Sequence, residues 1–169
     1  MKLIKPKDFV PHFERQLPSE CVAGAITNLL WLQFKQVENP KELDNRLRKY
    51  LNKPELTGLN LQKVFEYFRK EKKMDFYRCD NIEQLKASIQ HNPILISRKA
   101  YEYKKKFKTV HGRKVLNLED AKLKDNTHAC ILTKFEDGYF ECLDTASDSV
   151  YYIHQPTLYD CFNKGYLFI

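Results

Sequence analysis

The sequence predicts an α+β protein in which helices lead and strands follow. Two observations carry this. Apolar residues recur at helical spacing through the first half, and short apolar runs separated by turn signals fill the second. A third observation concerns size. With 169 residues, 43% of them hydrophobic, and with ten Tyr and eleven Phe, the chain has a core for one domain, or for two small lobes about a cleft. Only five Gly and seven Pro exclude a fibrous or disordered composition.

Residues 1–18 read as an extended lead-in. The first helix is expected from Glu20 to about Val37, where Val22, Ala25, Ile26, Leu29, Leu30, Phe34 and Val37 share one spacing. Ser19 is its expected N-cap, after a Pro18 that keeps the chain extended. Asn39-Pro40 ends that helix and opens a second, Pro40 to Leu51, with Leu43, Leu47 and Leu51 on one face. Thr57-Gly58-Leu59-Asn60 leads into a third, to about Lys72, using Leu61, Val64, Phe65 and Phe68. Met74 to Cys79 reads as a strand, Asn81 to Gln90 as a helix, and Ile94-Leu95-Ile96 as an apolar strand after the turn at Pro93. His128 to Phe135 and Tyr139 to Leu143 flank Glu136-Asp137-Gly138, a hairpin signal with Gly available for positive φ. Ser149 to His154 is a further strand, Thr157 to Phe162 one helical turn, and Tyr166 to Ile169 a closing strand.

The net charge is +7, and the segment Arg98 to Lys124, with ten Lys/Arg against three Asp/Glu, accounts for all of it. The plain reading of its middle, Lys104 to Lys114, is a solvated loop; its functional reading is a surface for an acidic partner, nucleic acid or an anionic membrane. Five cysteines cannot all pair within the chain, and none forms a CxxC knuckle. Cys130 and Cys142 fall on neighbouring expected strands and read as buried thiols. A reducing compartment fits, either the cytoplasm or a host cytosol. The N-terminus lacks the apolar run of a signal peptide, and no stretch approaches the ~18 apolar residues of a membrane span. His12, His91, His111 and His154 have no ligand spacing, so no metal is expected, and no glycine-rich phosphate loop suggests a cofactor. Trp31 reads as core.

One set of residues supplies a whole reaction centre. A thiol becomes a nucleophile as its anion, and Cys21, at an expected helix N-terminus, meets unpaired N–H groups and the positive end of the helix dipole. His128, heading a strand, is a candidate base or imidazolium partner. Asp144 lies one hairpin on. A turn centred on residues 136–137 sets residue 128 opposite 144 or 145, close enough for a carboxylate to orient the ring. The amide of Gln16 and a backbone N–H at the helix start are candidate oxyanion donors.

The order Gln16, Cys21, His128, Asp144 resembles the papain-like cysteine peptidases, and more closely the bacteriocin-processing (double-glycine) peptidases and their stand-alone relatives. Thr57-Gly-Leu-Asn-Leu resembles the start of a family helix. Ile82-Glu-Gln-Leu-Lys-Ala-Ser-Ile-Gln-His-Asn-Pro-Ile-Leu-Ile resembles the helix–turn–strand before its histidine. The run from His128 to Asp144 resembles its histidine hairpin, and the likeness spans about Gln16 to Asp144. It departs where Val22-Ala23-Gly24 follows the cysteine in place of an immediate Gly, and where Thr-Ala-Ser follows Asp144 in place of a frequent Pro. The resemblance implies a papain-like fold over residues 1–169, with a helical lobe (about 19–72), a sheet lobe (about 74–169) and an active-site cleft between them. It implies a thiol hydrolase acting on a protein or peptide. A transglutaminase, deamidase or acyltransferase would use the same centre. An inactive binding module on this scaffold and a nucleic-acid binder stay open beside it.

Overall fold

Asparagine decides where three of the helices begin. In the computed structural model, which describes residues 3–15 and 20–169, Asn39, Asn60 and Asn81 each accept a hydrogen bond from the backbone N–H three residues on. They open α2 (Pro40–Leu51), α3 (Leu61–Lys72) and α4 (Ile82–Ile89). The first helix, α1 (Cys21–Phe34), differs. Its cap position is Glu20, which gives no side-chain hydrogen bond; Ser19, the expected cap, lies outside the described residues. This helix stops three residues before the expected Val37, because Lys35 turns into the left-handed region at φ 56°. Phe34 and Val37, which extended the apolar spacing, are exposed.

Eight strands are described: β1 (Phe76–Cys79), β2 (Ile94–Glu102), β3 (Phe107–Val110), β4 (Arg113–Leu116), β5 (Lys122–Glu136), β6 (Tyr139–Leu143), β7 (Tyr151–His154) and β8 (Phe162–Phe168). A fifth helix, α5 (Gln155–Cys161), precedes β8. The strands form one sheet in the order β1-β8-β2-β5-β6-β7-β4-β3, antiparallel except where β4 meets β7. The class is α+β, as the composition of the two halves predicts.

The sheet separates two apolar cores by the period-two alternation of its strands. Leu95, Ala129, Ile131 and Leu143 face a core shared with α1, α2 and α3. Ile94, Ile96, Cys130, Leu132 and Cys142 face a second core, closed by Leu85 and Ile89 of α4 and Leu158 of α5. The Gln33 side-chain amide ties α1 to the sheet, accepting from the Phe168 N–H (3.0 Å) and donating to its carbonyl (2.8 Å).

In the basic segment, Lys104 to Lys114 is not the solvated loop expected of it. The segment's first residues complete β2, its middle forms the β3–β4 hairpin, and its last residues begin β5. His111 and Gly112 turn the hairpin with φ 48° and 76°, the positive values a two-residue turn needs. Val115 and Leu116 are buried in β4, while Lys108 of β3 is exposed and Lys114 reaches over the Phe107 ring. No helix among the described residues is long and apolar enough to cross a membrane.

Candidate active site

Cys21 is the first residue of α1, so its backbone N–H has no acceptor within the helix. Helix α1 packs on β5, the strand that carries His128. The β5–β6 turn is Asp137-Gly138, with φ 55° and 82°. Glu136 pairs with Tyr139 across it, and the register then slips by one near Thr133, so that Ile131 faces Leu143. Continued one step, this register sets residue 130, not 128, opposite 144. His128 therefore reaches Asp144 along the diagonal rather than straight across, a correction to the expected pairing. The diagonal is within reach of an imidazole.

Ring atom Nε2 of His128 lies 2.8 Å from each Asp144 carboxylate oxygen. With Nε2 so engaged, Nδ1 is left for the thiol of Cys21, which lines the same cavity as the ring. The His128 side chain is 15% exposed and Asp144 is fully buried. Burial disfavours the imidazolium, but the Asp144 charge, its hydrogen bond and that of Cys21 outweigh it and push His128 up to about 10. Burial likewise works against the Asp144 carboxylate; the charge and hydrogen bond of His128, then Arg98 and Tyr151, hold it well below the usual range.

Two residues at this centre escape sequence reasoning. Arg98 pairs with His128 in the β2–β5 ladder and is 1% exposed. It donates from Nη1 to the Tyr103 hydroxyl (3.1 Å) and from Nη2 to the Tyr151 hydroxyl (3.4 Å). Tyr151 in turn donates to Asp144 Oδ2 at 2.5 Å, and the Ala146 N–H donates to Oδ1 at 2.9 Å. A chain Arg98–Tyr151–Asp144–His128 thus runs through the core. The signal was present: Arg98 follows Ile94 and Ile96 at strand period, where an inward apolar residue belongs. Tyr151→Phe deprives Asp144 of a donor and Arg98 of an acceptor. It is expected to cost about 1–3 kcal/mol, read as a melting temperature several degrees lower.

Arg15 braces the loop after Asp144, donating to the carbonyls of Thr145 and Ala146, each at 3.2 Å. Gln16, the expected oxyanion donor, lies outside the described residues. Cys130, Cys142 and Asp144 bring three ligand-type atoms within 4.8 Å of one another. His128, Tyr151 and Ala146 already occupy the Asp144 oxygens, and burial pushes the Cys142 thiol up. The group is poorly suited to a cation and reads as hydrogen-bonded core.

Two cavities meet at Cys21. The larger, about 770 Å³, runs between the loop before α3 and the sheet, with Leu56, Leu59, Ala129 and Tyr166 on its walls. Leu56 is 81% exposed at its rim and adopts a left-handed φ of 65°. The smaller, about 170 Å³, lies beyond His128, with Arg98, Tyr101, Tyr103, Lys106 and Lys124 around it.

No protein-family model and no curated protein matches the sequence. A crystal structure of a candidate C39-like peptidase from Bacillus anthracis superposes on it with a TM-score of 0.62 at 13% identity, covering 99% of this chain and 98% of that one. The two chains share a fold. That fold is the α+β arrangement described above, and at this identity the likeness extends to architecture alone.

Proposed function

We propose that the protein is a thiol hydrolase that cleaves a peptide or isopeptide bond with Cys21 as nucleophile, His128 as acid and base, and Asp144 as its orienting partner. The observation that carries this reading is the His128 ring, held by Asp144 through Nε2 and lining one cavity with Cys21, which also opens onto a second. The shared fold with a candidate C39-like peptidase points the same way.

The chemistry follows from those contacts. In the first step His128 takes the thiol proton, which leaves a sulfur anion beside an imidazolium. The anion attacks the substrate carbonyl, and an S–C bond forms as the carbonyl oxygen takes negative charge. The Cys21 backbone N–H, which has no acceptor within its own helix, and the Gln16 amide receive that charge. Collapse breaks the C–N bond, and His128 gives its proton to the departing amine. Water then attacks the thioester, passes a proton to His128, and releases the acid and the sulfur anion.

Iodoacetamide tests the nucleophile without a known substrate. Cys79, Cys142 and Cys161 are 0% exposed and Cys130 1%, whereas Cys21 opens onto both cavities. Burial also pushes Cys161 up to about 11. Peptide mapping after brief treatment at neutral pH is expected to find the adduct on Cys21, at a rate tenfold or more above any other cysteine, as a rough expectation for an activated thiol. Equal or slower labelling of Cys21 overturns the proposal. Intact-mass analysis of candidate substrates separates hydrolysis from acyl transfer and deamidation.

A further inference from the structure

The basic segment, folded into strands, does not present its charge uniformly. Lys108, Arg113 and Lys114 sit on the β3–β4 hairpin, where Arg113 and Lys114 lie within ion-pair distance of Asp137 and Asp148. Arg98, Lys106 and Lys124 instead converge on the small cavity beside Cys21 and His128. Among the described residues, neither Lys106 nor Lys124 has a carboxylate within ion-pair distance. Lys106 lies over the rings of Tyr103 and Phe107, at 5.5 and 5.3 Å from their centroids. Among the described residues no acidic side chain lines this cavity, and no residue gives the Nε of buried Arg98 a hydrogen-bond partner. Tyr101, Asn126 and Thr127 add polar groups to the wall. Fixed positive charge in a recess with low-dielectric walls selects an anion.

We infer that this cavity is a specificity subsite that takes the carboxylate of an acidic residue next to the scissile bond of a peptide substrate. A pocket of about 170 Å³ is sized for one side chain, not for a nucleic-acid strand. The larger apolar cavity on the other side of Cys21 receives the rest of the peptide in this arrangement, with Leu56 and Leu59 against its side chains. The inference rests on Cys21 being the nucleophile.

Two small reagents that differ only in charge test it. Iodoacetate carries a carboxylate beside its reactive carbon, and iodoacetamide is its neutral counterpart. The ratio of their rates at Cys21, divided by the same ratio for glutathione, reports the local field. The imidazolium of His128 contributes to this ratio, so the decisive comparison is between variants. Lys106→Ala/Lys124→Ala is expected to lower the ratio about fivefold or more at low salt, from two charges within reach of the carboxylate. Lys49→Ala/Lys53→Ala, an equal change in net charge on an exposed stretch at the end of α2, is expected to leave it unchanged. In the unaltered protein the ratio is expected to fall as salt rises from 20 to 500 mM, on the order of the screening expected for exposed lysines. A ratio equal in the two double variants overturns the subsite while leaving the hydrolase reading intact. Failure of both reagents to label Cys21 removes the hydrolase reading and the subsite with it. Protection of Cys21 by a short peptide with a central Glu, but not by its Gln counterpart, supports a peptide occupant; protection by a single-stranded oligonucleotide alone overturns that assignment.

Discussion

Cys21→Ser is expected to abolish hydrolysis, by about 10⁴-fold or more, with the fold unchanged. The substitution keeps a small hydrogen-bonding group at the start of α1, 9% exposed and beside His128. Packing and hydrogen bonding are therefore nearly conserved, and the melting temperature is expected to move by no more than a few degrees. The chemistry is not conserved. A serine hydroxyl is far less acidic than a thiol and gives no standing anion for an imidazolium to stabilise. His128 in its protonated form then cannot act as a base toward it. The measurement pairs thermal denaturation with cleavage of a substrate found by intact-mass screening. A serine variant that keeps more than a tenth of the parent rate would remove Cys21 from the reaction.

Much of this centre was readable from residue order, and the unread parts have specific causes. Helix α2 follows its expected bounds because the Asn39-Pro40 start and the Leu43–Leu47–Leu51 stripe agree. The β5–β6 hairpin was legible because Asp-Gly has one common use between apolar runs. What failed was counting across that hairpin. The turn is centred between Asp137 and Gly138, which by itself sets residue 131 opposite Asp144; the irregularity near Thr133, which leaves no mark in the sequence, brings that to residue 130 and leaves His128 on the diagonal. The β3–β4 hairpin was hidden by its charge. Phe107, Val110, Val115 and Leu116 are its strong apolar signals, and the cations between them dominate any composition-based reading. The same charge hid Arg98, which read as one more cation of the basic segment. It is instead a buried group, one hydroxyl away from the carboxylate bonded to His128.

That buried chain makes Asp144→Asn the second large expectation. The replacement is nearly isosteric, but the three groups around Asp144 all donate: His128 Nε2–H, Tyr151 O–H and the Ala146 N–H. An amide offers one acceptor and brings two donors of its own, so at least one of those bonds is lost. Its neutrality also removes a carboxylate charge that favours the Arg98 cation, which is 1% exposed. The expected cost is about 3–5 kcal/mol at neutral pH, the usual penalty for uncompensating a buried charge. Turnover is expected to fall about 10⁴-fold, because the ring loses the partner that fixes its orientation and stabilises its cation. The pH dependence separates this pair from ordinary destabilisation. His128 is raised from an ordinary 6.5 to about 10, so the native state binds the extra proton between those values. The stability it contributes is full below about 6.5, declines as pH rises, and is gone above about 10. Asp144 is depressed, so its contribution is present above the ordinary carboxylate range and is lost only as pH falls below it. The stability gap between parent and variant is therefore expected to be widest near pH 5–6 and to narrow steadily toward pH 10. Denaturant unfolding across that range measures it directly, with the His128 ring protons followed by NMR. A gap that stays constant from pH 6.5 to 10 would show that Asp144 does not hold the charged imidazole.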